Sequence, residues 1–245
     1  MKIRIVRKDY KDEDNPYWLS FSDVMSGLLM IFILACVSLL LQLQQQRLVW
    51  ENKNKILQQK IDVEENIKKD IQADLFQVKE DLSKYFIFVE LDGDTIHIPT
   101  DEINFETDQD RVLEEKIKSV ELIGKSIFSL VEKNKDKIDT VFIEGHTDQR
   151  TSYRRNGNWG LSVDRAIFVW NTWQKALCQT EFNCNNFKNK DGKPIFSVSG
   201  YADTRPILGT KNRLDAESLK KNRRIDIRFV ARKANPNEFL ENKNE

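Results

Sequence analysis

Two histidines and three cysteines are all that this chain offers a soft metal ion, and so few all but exclude a His/Cys zinc cluster. His146 stands beside Thr147 and Asp148 with no second histidine near it, so the sequence predicts no metal site, and a hydrogen bond within its own loop is expected. His97 alternates with Ile96 and Ile98, as a surface residue of a strand would. Net charge is also lacking: 39 basic residues balance 39 acidic ones, which argues against direct nucleic-acid binding. There is no nucleophile–base pair and no glycine-rich phosphate loop. The soluble part therefore reads as a binding module, not an enzyme, and no cofactor is expected. Glycine and proline are missing altogether from Leu28 to Asp92, so a helix that begins before that stretch can run far through it.

What is present is apolar residues concentrated in one place. No charged residue occurs from Val24 to Leu43. Twenty helical residues span about 30 Å, the thickness of a bilayer's hydrocarbon core. A cleaved signal would have a shorter apolar core followed by small residues, whereas Leu, Gln and Arg follow here, so the run reads as an uncleaved anchor. Asn15 can cap the helix and Pro16 suits its first position; Tyr17 and Trp18 suit the membrane interface. Lys2, Arg4, Arg7, Lys8 and Lys11 precede the span, which keeps the N-terminus in the cytoplasm and exports the rest. The expected layout is a cytoplasmic tail over 1–15, a transmembrane helix over 16–43 and a helical stalk over 44–84. A soluble domain over 85–232 and a disordered polar tail over 233–245 follow.

In the stalk, Ile71, Leu75, Val78 and Leu82 follow the 4-3-4 spacing of a coiled-coil seam, which predicts a homodimer whose spacing this stretch sets. The pattern begins at Leu57 and Ile61 but lapses at Glu64 and Lys68, leaving a solvated single helix or a linker as the other reading for residues 44–65. Past Tyr85 the order of elements is strands, helix, strand, helix, strand, helical turn, strand. "YFIFVELDGDTIHIP" gives two strands around Asp92-Gly93, residues 111–133 a helix in which Gly124 permits close approach to the sheet, and residues 161–177 another helix. That is an α/β fold with helices on one face of a mixed sheet. Cys36 lies in the span as a packing residue. Cys178 and Cys184 are close enough in sequence to close a small loop in an oxidising compartment, or they are two free thiols.

The polar chemistry falls in three segments, "EGHTDQR" (144–150), "NWGLSVDRA" (158–166) and "GYADTRP" (200–206), each next to a regular element. Asp148 offers a carboxylate and Arg165 a guanidinium fork. Together they can read a zwitterion, or they can pair with each other. Asn158 stands where it can cap the helix that carries Arg165. These segments, followed by "NRRIDIRF", resemble the C-terminal peptidoglycan-binding domain of the OmpA family over roughly residues 85–232. The resemblance implies that Asp148 and Arg165 hold the zwitterionic diaminopimelate of the wall peptide. Thr147, Asn158, Arg223 and Arg224 would line the same site. The segment "QRTSYRRNG" is longer and more basic than is usual in the family, so the mouth of the site is expected to differ.

Asp23 sits inside the greasy run. It can cap the helix, reach the interface, or serve an ion path, since an ionisable group in a span is costly and usually faces a partner. Asp23, Ser26, Gly27 and Met30 share one side at helical spacing, and small residues there allow another helix to come close. Alternating burial and exposure would let such a carboxyl take up and release a proton, with about 2.3 kcal/mol available per charge per 100 mV. "WLSFSDVMSGLLMIF" resembles the B subunits of ion-driven rotary stators of the flagellar MotB type. Within them it is closer to the anti-phage Zorya branch than to flagellar members. The resemblance implies an inner-membrane, single-pass subunit, two of which sit inside a ring of five multi-span A subunits, with Asp23 relaying the ion. A flagellar-type stator and a passive cell-wall tether are the alternatives.

Overall fold

The computed structural model describes residues 16–103, 105, 108–178, 180–211, 214–235 and 238. The basic N-terminal tail and its cap Asn15 lie outside these residues, as does most of the polar C-terminal tail. The chain divides into two compact units, Met1–Gln58 and Gln59–Glu245.

The first unit consists of the N-terminal part of α1, a helix bounded by Pro16–Ser83. Every side chain from Val24 to Leu43 is exposed except that of Cys36. Among the described residues α1 is the one helix long and apolar enough to cross a membrane. Asp23 lies about two turns into the helix. A cap serves the free N–H groups of the first turn, which holds no acidic residue, so Asp23 is not the cap. Ser26 is tied down locally, its hydroxyl donating to the Ser22 carbonyl at 2.7 Å.

The second unit begins inside the same helix. Ile67, Ile71, Leu75, Val78 and Leu82 are buried there, Leu75 completely, in one cluster with the apolar residues of the sheet and its helices. The 4-3-4 row expected to form a coiled-coil seam is therefore used within its own domain. A face already covered by its own chain is closed to a partner helix. Polar contacts hold the same stretch. Asp74 accepts from Lys133 (2.7 Å) and Asn134 (2.6 Å), Asp70 from Lys137 (2.7 Å), and Gln72 donates to Asp94 (2.9 Å).

Next comes a hairpin of β1 (Glu90–Asp92) and β2 (Thr95–Pro99), five residues later than the Tyr85 start read from the sequence. Asp92 pairs with Thr95, so the two-residue turn is Gly93-Asp94, with Gly93 at φ 57°. The short α2 (Thr100–Ile103), α3 (Glu114–Asn134), β3 (Ile138–His146), α4 (Gly157–Leu177), β4 (Phe196–Gly200), α5 (Ala216–Asn222) and β5 (Arg224–Ala231) follow. The sheet order is β1-β2-β5-β3-β4, with β3 and β4 parallel and the other pairs antiparallel.

Strand alternation divides the sheet's two faces. Val141, Ile143 and Gly145 face the helices. A side chain at Gly145 would run into the Ser162 backbone, so glycine there lets α4 lie directly on β3. Trp173 of α4 is fully buried against Phe128 of α3 and donates Nε1–H to the Val120 carbonyl at 2.8 Å. The expected close approach at Gly124 is thus to the Trp173 ring on the neighbouring helix, not to the sheet.

The opposite face carries a buried polar network. Asp226 lies between His97 (2.7 Å), His146 (3.1 Å) and Arg224 (2.9 Å), while Glu144 accepts from Arg228. Both histidines therefore differ from their sequence reading. His97 is largely covered rather than on the surface, and His146 ends β3, facing Asp226 and stacked on Tyr201, rather than bonding within its loop. Part of the supposedly disordered tail is also packed. Ala234 is buried with its N–H on Glu64 (3.0 Å), and Glu238 meets Lys190 (2.6 Å) and Arg232 (3.2 Å). The Cys178 and Cys184 sulfurs are bonded, with Cα atoms 5.4 Å apart.

Candidate functional site

Beyond the end of β3 the chain turns through residues 147–156 before entering α4. A cleft of about 560 Å³ lies there, lined by Thr147, Asp148, Arg150, Asn158, Arg165 and Arg223 among others. Thr100, Asp101, Phe105 and Asp108 line its far wall, and Leu214 also contributes.

Asp148 is the centre of the charge arrangement and is only 4 % exposed. Its carboxylate takes a hydrogen bond from the Arg150 backbone N–H (3.0 Å), a local turn typical of aspartate. The Arg150 guanidinium grips it three times more, Nη2 to Oδ2 at 2.7 Å, Nε to Oδ2 at 3.0 Å and Nε to Oδ1 at 3.2 Å. Arg223 adds a further contact from the end of α5, at 2.8 Å. Burial alone would raise this carboxyl, but the bonds from Arg150 and Arg223 outweigh it and hold Asp148 below the usual carboxylate range. Among the described residues, the guanidinium groups seen on Asp148 are those of Arg150 and Arg223.

Arg165 is 2 % exposed, donates Nε–H to the Gln109 carbonyl (2.9 Å) and lies 5.1 Å from the centre of the Phe105 ring. Burial, with Arg223 nearby, pushes its guanidinium down to about 10, so it stays a cation at neutral pH.

Asn158 is not the cap of α4. The helix starts at Gly157, four residues before the expected Leu161, and Asn156 occupies the cap position in a left-handed conformation. The Asn158 side chain instead clamps the loop, accepting from the Ser152 N–H (3.0 Å) and donating to the Asp148 carbonyl (3.4 Å). The Thr147 hydroxyl is buried on the cleft wall and has no hydrogen-bond partner among the described residues.

Arg224 departs from expectation. It belongs to the buried network on the open face of the sheet, bonded to Asp226 and to the Arg205 carbonyl (3.1 Å). Adjacent residues entering a strand point to opposite sides, so only Arg223 reaches the cleft. The segment 200–206 supports the site without lining it, Ala202 accepting from the Thr147 N–H at 2.9 Å. The acidic stretch around Asp108 was not singled out in the sequence. Asp108 accepts from Ser152, and Asp110 from Arg154 (2.7 Å), so it anchors the basic loop across the cleft. The opposite charges of "ETDQD" and "SYRR" were the available signal.

Residues 104–223, the part that builds this cleft, match the model of the OmpA family. One long apolar N-terminal helix followed by an α/β OmpA-like domain with a MotB-like fold is the class that the chain represents. Its fold is similar to that of a putative MotB-like protein from Desulfovibrio vulgaris, at 13 % identity and a TM-score of 0.51, covering 69 % of this chain and 99 % of that one. The cell wall anchor of the type VI secretion system from Pseudomonas aeruginosa shares 24 % identity at a TM-score of 0.45, over 64 % and 96 % of the two chains. Over most of its length the chain is similar to Zorya protein ZorB of Escherichia coli strain Crooks, 22 % identical over 229 residues and covering 90 % of each.

Proposed function

We propose that this chain is the peptidoglycan-anchored B subunit of an ion-driven rotary stator that acts in anti-phage defence. It is a stator-like, cell-wall-anchored subunit of the inner membrane, with its OmpA-like domain in the periplasm, and not an enzyme. The observation that carries the reading is the similarity to ZorB, which covers 90 % of both chains and so extends beyond the wall-binding domain to the apolar helix.

In this reading Asp148 and Arg165, with Thr147, Asn158 and Arg223 around them, hold a zwitterionic end of the wall peptide. The carboxylate takes the ammonium and the buried guanidinium takes the carboxylate. The buried Thr147 hydroxyl supports this, because a bound ligand would supply the partner that it lacks among the described residues. Asp23 is the ion relay. It lies too deep in α1 to cap it, and Ser26 and Gly27 beside it leave room for a helix of a multi-span A subunit. The ion is a proton, and the N-terminus is cytoplasmic. Two copies work with five A subunits.

Replacing Asp23 with Asn in cells that carry the complete defence system tests the relay. The variant should reach the membrane fraction at the level of the parent while phage protection falls to that of a deletion. Protection retained at the parental level would leave a passive tether.

A further inference from the structure

The geometry points to Arg150 as an internal stand-in for the ligand's ammonium, occupying Asp148 until a wall peptide displaces it. The inference rests on the wall-binding reading of the cleft. A carboxylate meant to receive a ligand's ammonium is, in this structure, already fully engaged. Arg150 covers both of its oxygens, with Nη2 at 2.7 Å and Nε at 3.0 and 3.2 Å. A planar fork facing a carboxylate is the strongest pairing that a side chain can make there.

Arg150 and Arg223 differ in how tightly they are built in. The Arg223 side chain is 27 % exposed and comes from the end of a helix. The Arg150 side chain is 51 % exposed and stands on the loop two residues from Asp148. It can swing into solvent by side-chain rotation alone, leaving the loop backbone in place. That backbone is fixed independently by Asn158 on the Ser152 N–H and by Asp108 on the Ser152 hydroxyl. The loop is thus held while the arginine on it is free to exchange.

The consequence is a competition. A ligand is admitted in proportion to the fraction of molecules in which Arg150 has left, so apparent affinity is reduced by that fraction. Removing Arg150 should tighten wall binding, the reverse of what removal of an ordinary binding residue does.

The test is co-sedimentation of the purified full chain, in detergent micelles, with purified diaminopimelate-containing sacculi. Arg150→Ala should bind about three- to tenfold more tightly than the parent. Arg150→Gln, which keeps a polar side chain without the charge, should follow it. Asp148→Asn should lose binding with or without Arg150. The melting temperature of Arg150→Ala should stay level or fall slightly, so that affinity and stability move in opposite directions, which a merely structural residue would not produce. Binding by Arg150→Ala that equals or falls below the parent's, while Asp148→Asn is inactive, overturns the inference and leaves the wall-binding reading intact. Undiminished binding by Asp148→Asn overturns both.

Discussion

At the residue scale, the buried histidine and the buried carboxylates of the α/β unit respond to acid at different pH. On the open face of the sheet, burial disfavours the charged form of His146 and pushes it below its ordinary value, against the opposing pull of Asp226. The folded chain therefore holds fewer protons than the unfolded one once pH falls below about 6.5, and stability declines from there downward. Asp148 and Asp226 are both held low. Their contributions are present above about pH 3.8 and are lost only as pH falls through their depressed folded values. Between pH 7.5 and 5 the melting temperature should therefore drop, and His146→Gln should flatten that slope whatever it does to the absolute value. Asp148, Asn158, Arg165 and Arg223 were legible in the sequence because a linear motif records residues that converge. Arg150 was not, because nothing in a string of letters says that a guanidinium two positions on folds back over its neighbour. Arg224 was misplaced for a related reason: adjacency in sequence becomes opposition at the start of a strand.

At the element scale, hydrophobic periodicity and turn residues gave the order and type of the strands of the domain and of α3, α4 and α5, but not the short α2 or the single turn over Cys184–Asn186. Boundaries were less readable. The start of α4 moved from Leu161 to Gly157 because its cap is an asparagine in a left-handed conformation, with Gly157 also at positive φ, and not a side chain that bonds the first turn. The contact at Gly124 was visible as a weak point in a helix, but its partner was not. A methyl group there meets the indole of Trp173, which is buried and tied to the Val120 carbonyl and so has nowhere to move. Gly124→Ala should cost about 1–2 kcal/mol net, since overpacking outweighs the roughly 1 kcal/mol gained in helix propensity. Urea unfolding would read this as a lower midpoint at unchanged slope.

At the scale of the whole molecule, the division into an apolar helix and a polar α/β domain could be read from composition alone, but the place of the boundary could not. A 4-3-4 row looks the same whether a second copy or the chain's own sheet covers it, and only the tertiary structure distinguishes the two. Leu75→Ala should therefore destabilise the domain by about 2–5 kcal/mol, with a midpoint independent of protein concentration. A midpoint that rises with concentration would indicate a paired seam instead. Fragments make the same point. One that starts at residue 85 would leave the site of Ile71, Leu75 and Leu82 open to water and should aggregate, whereas one that starts at Gln59 should stay soluble. Side chains that are already spoken for cannot be lent to a neighbour without first being unfastened at home. Self-association through this row would undo the folding of the domain that it closes, so the two would trade against each other rather than add.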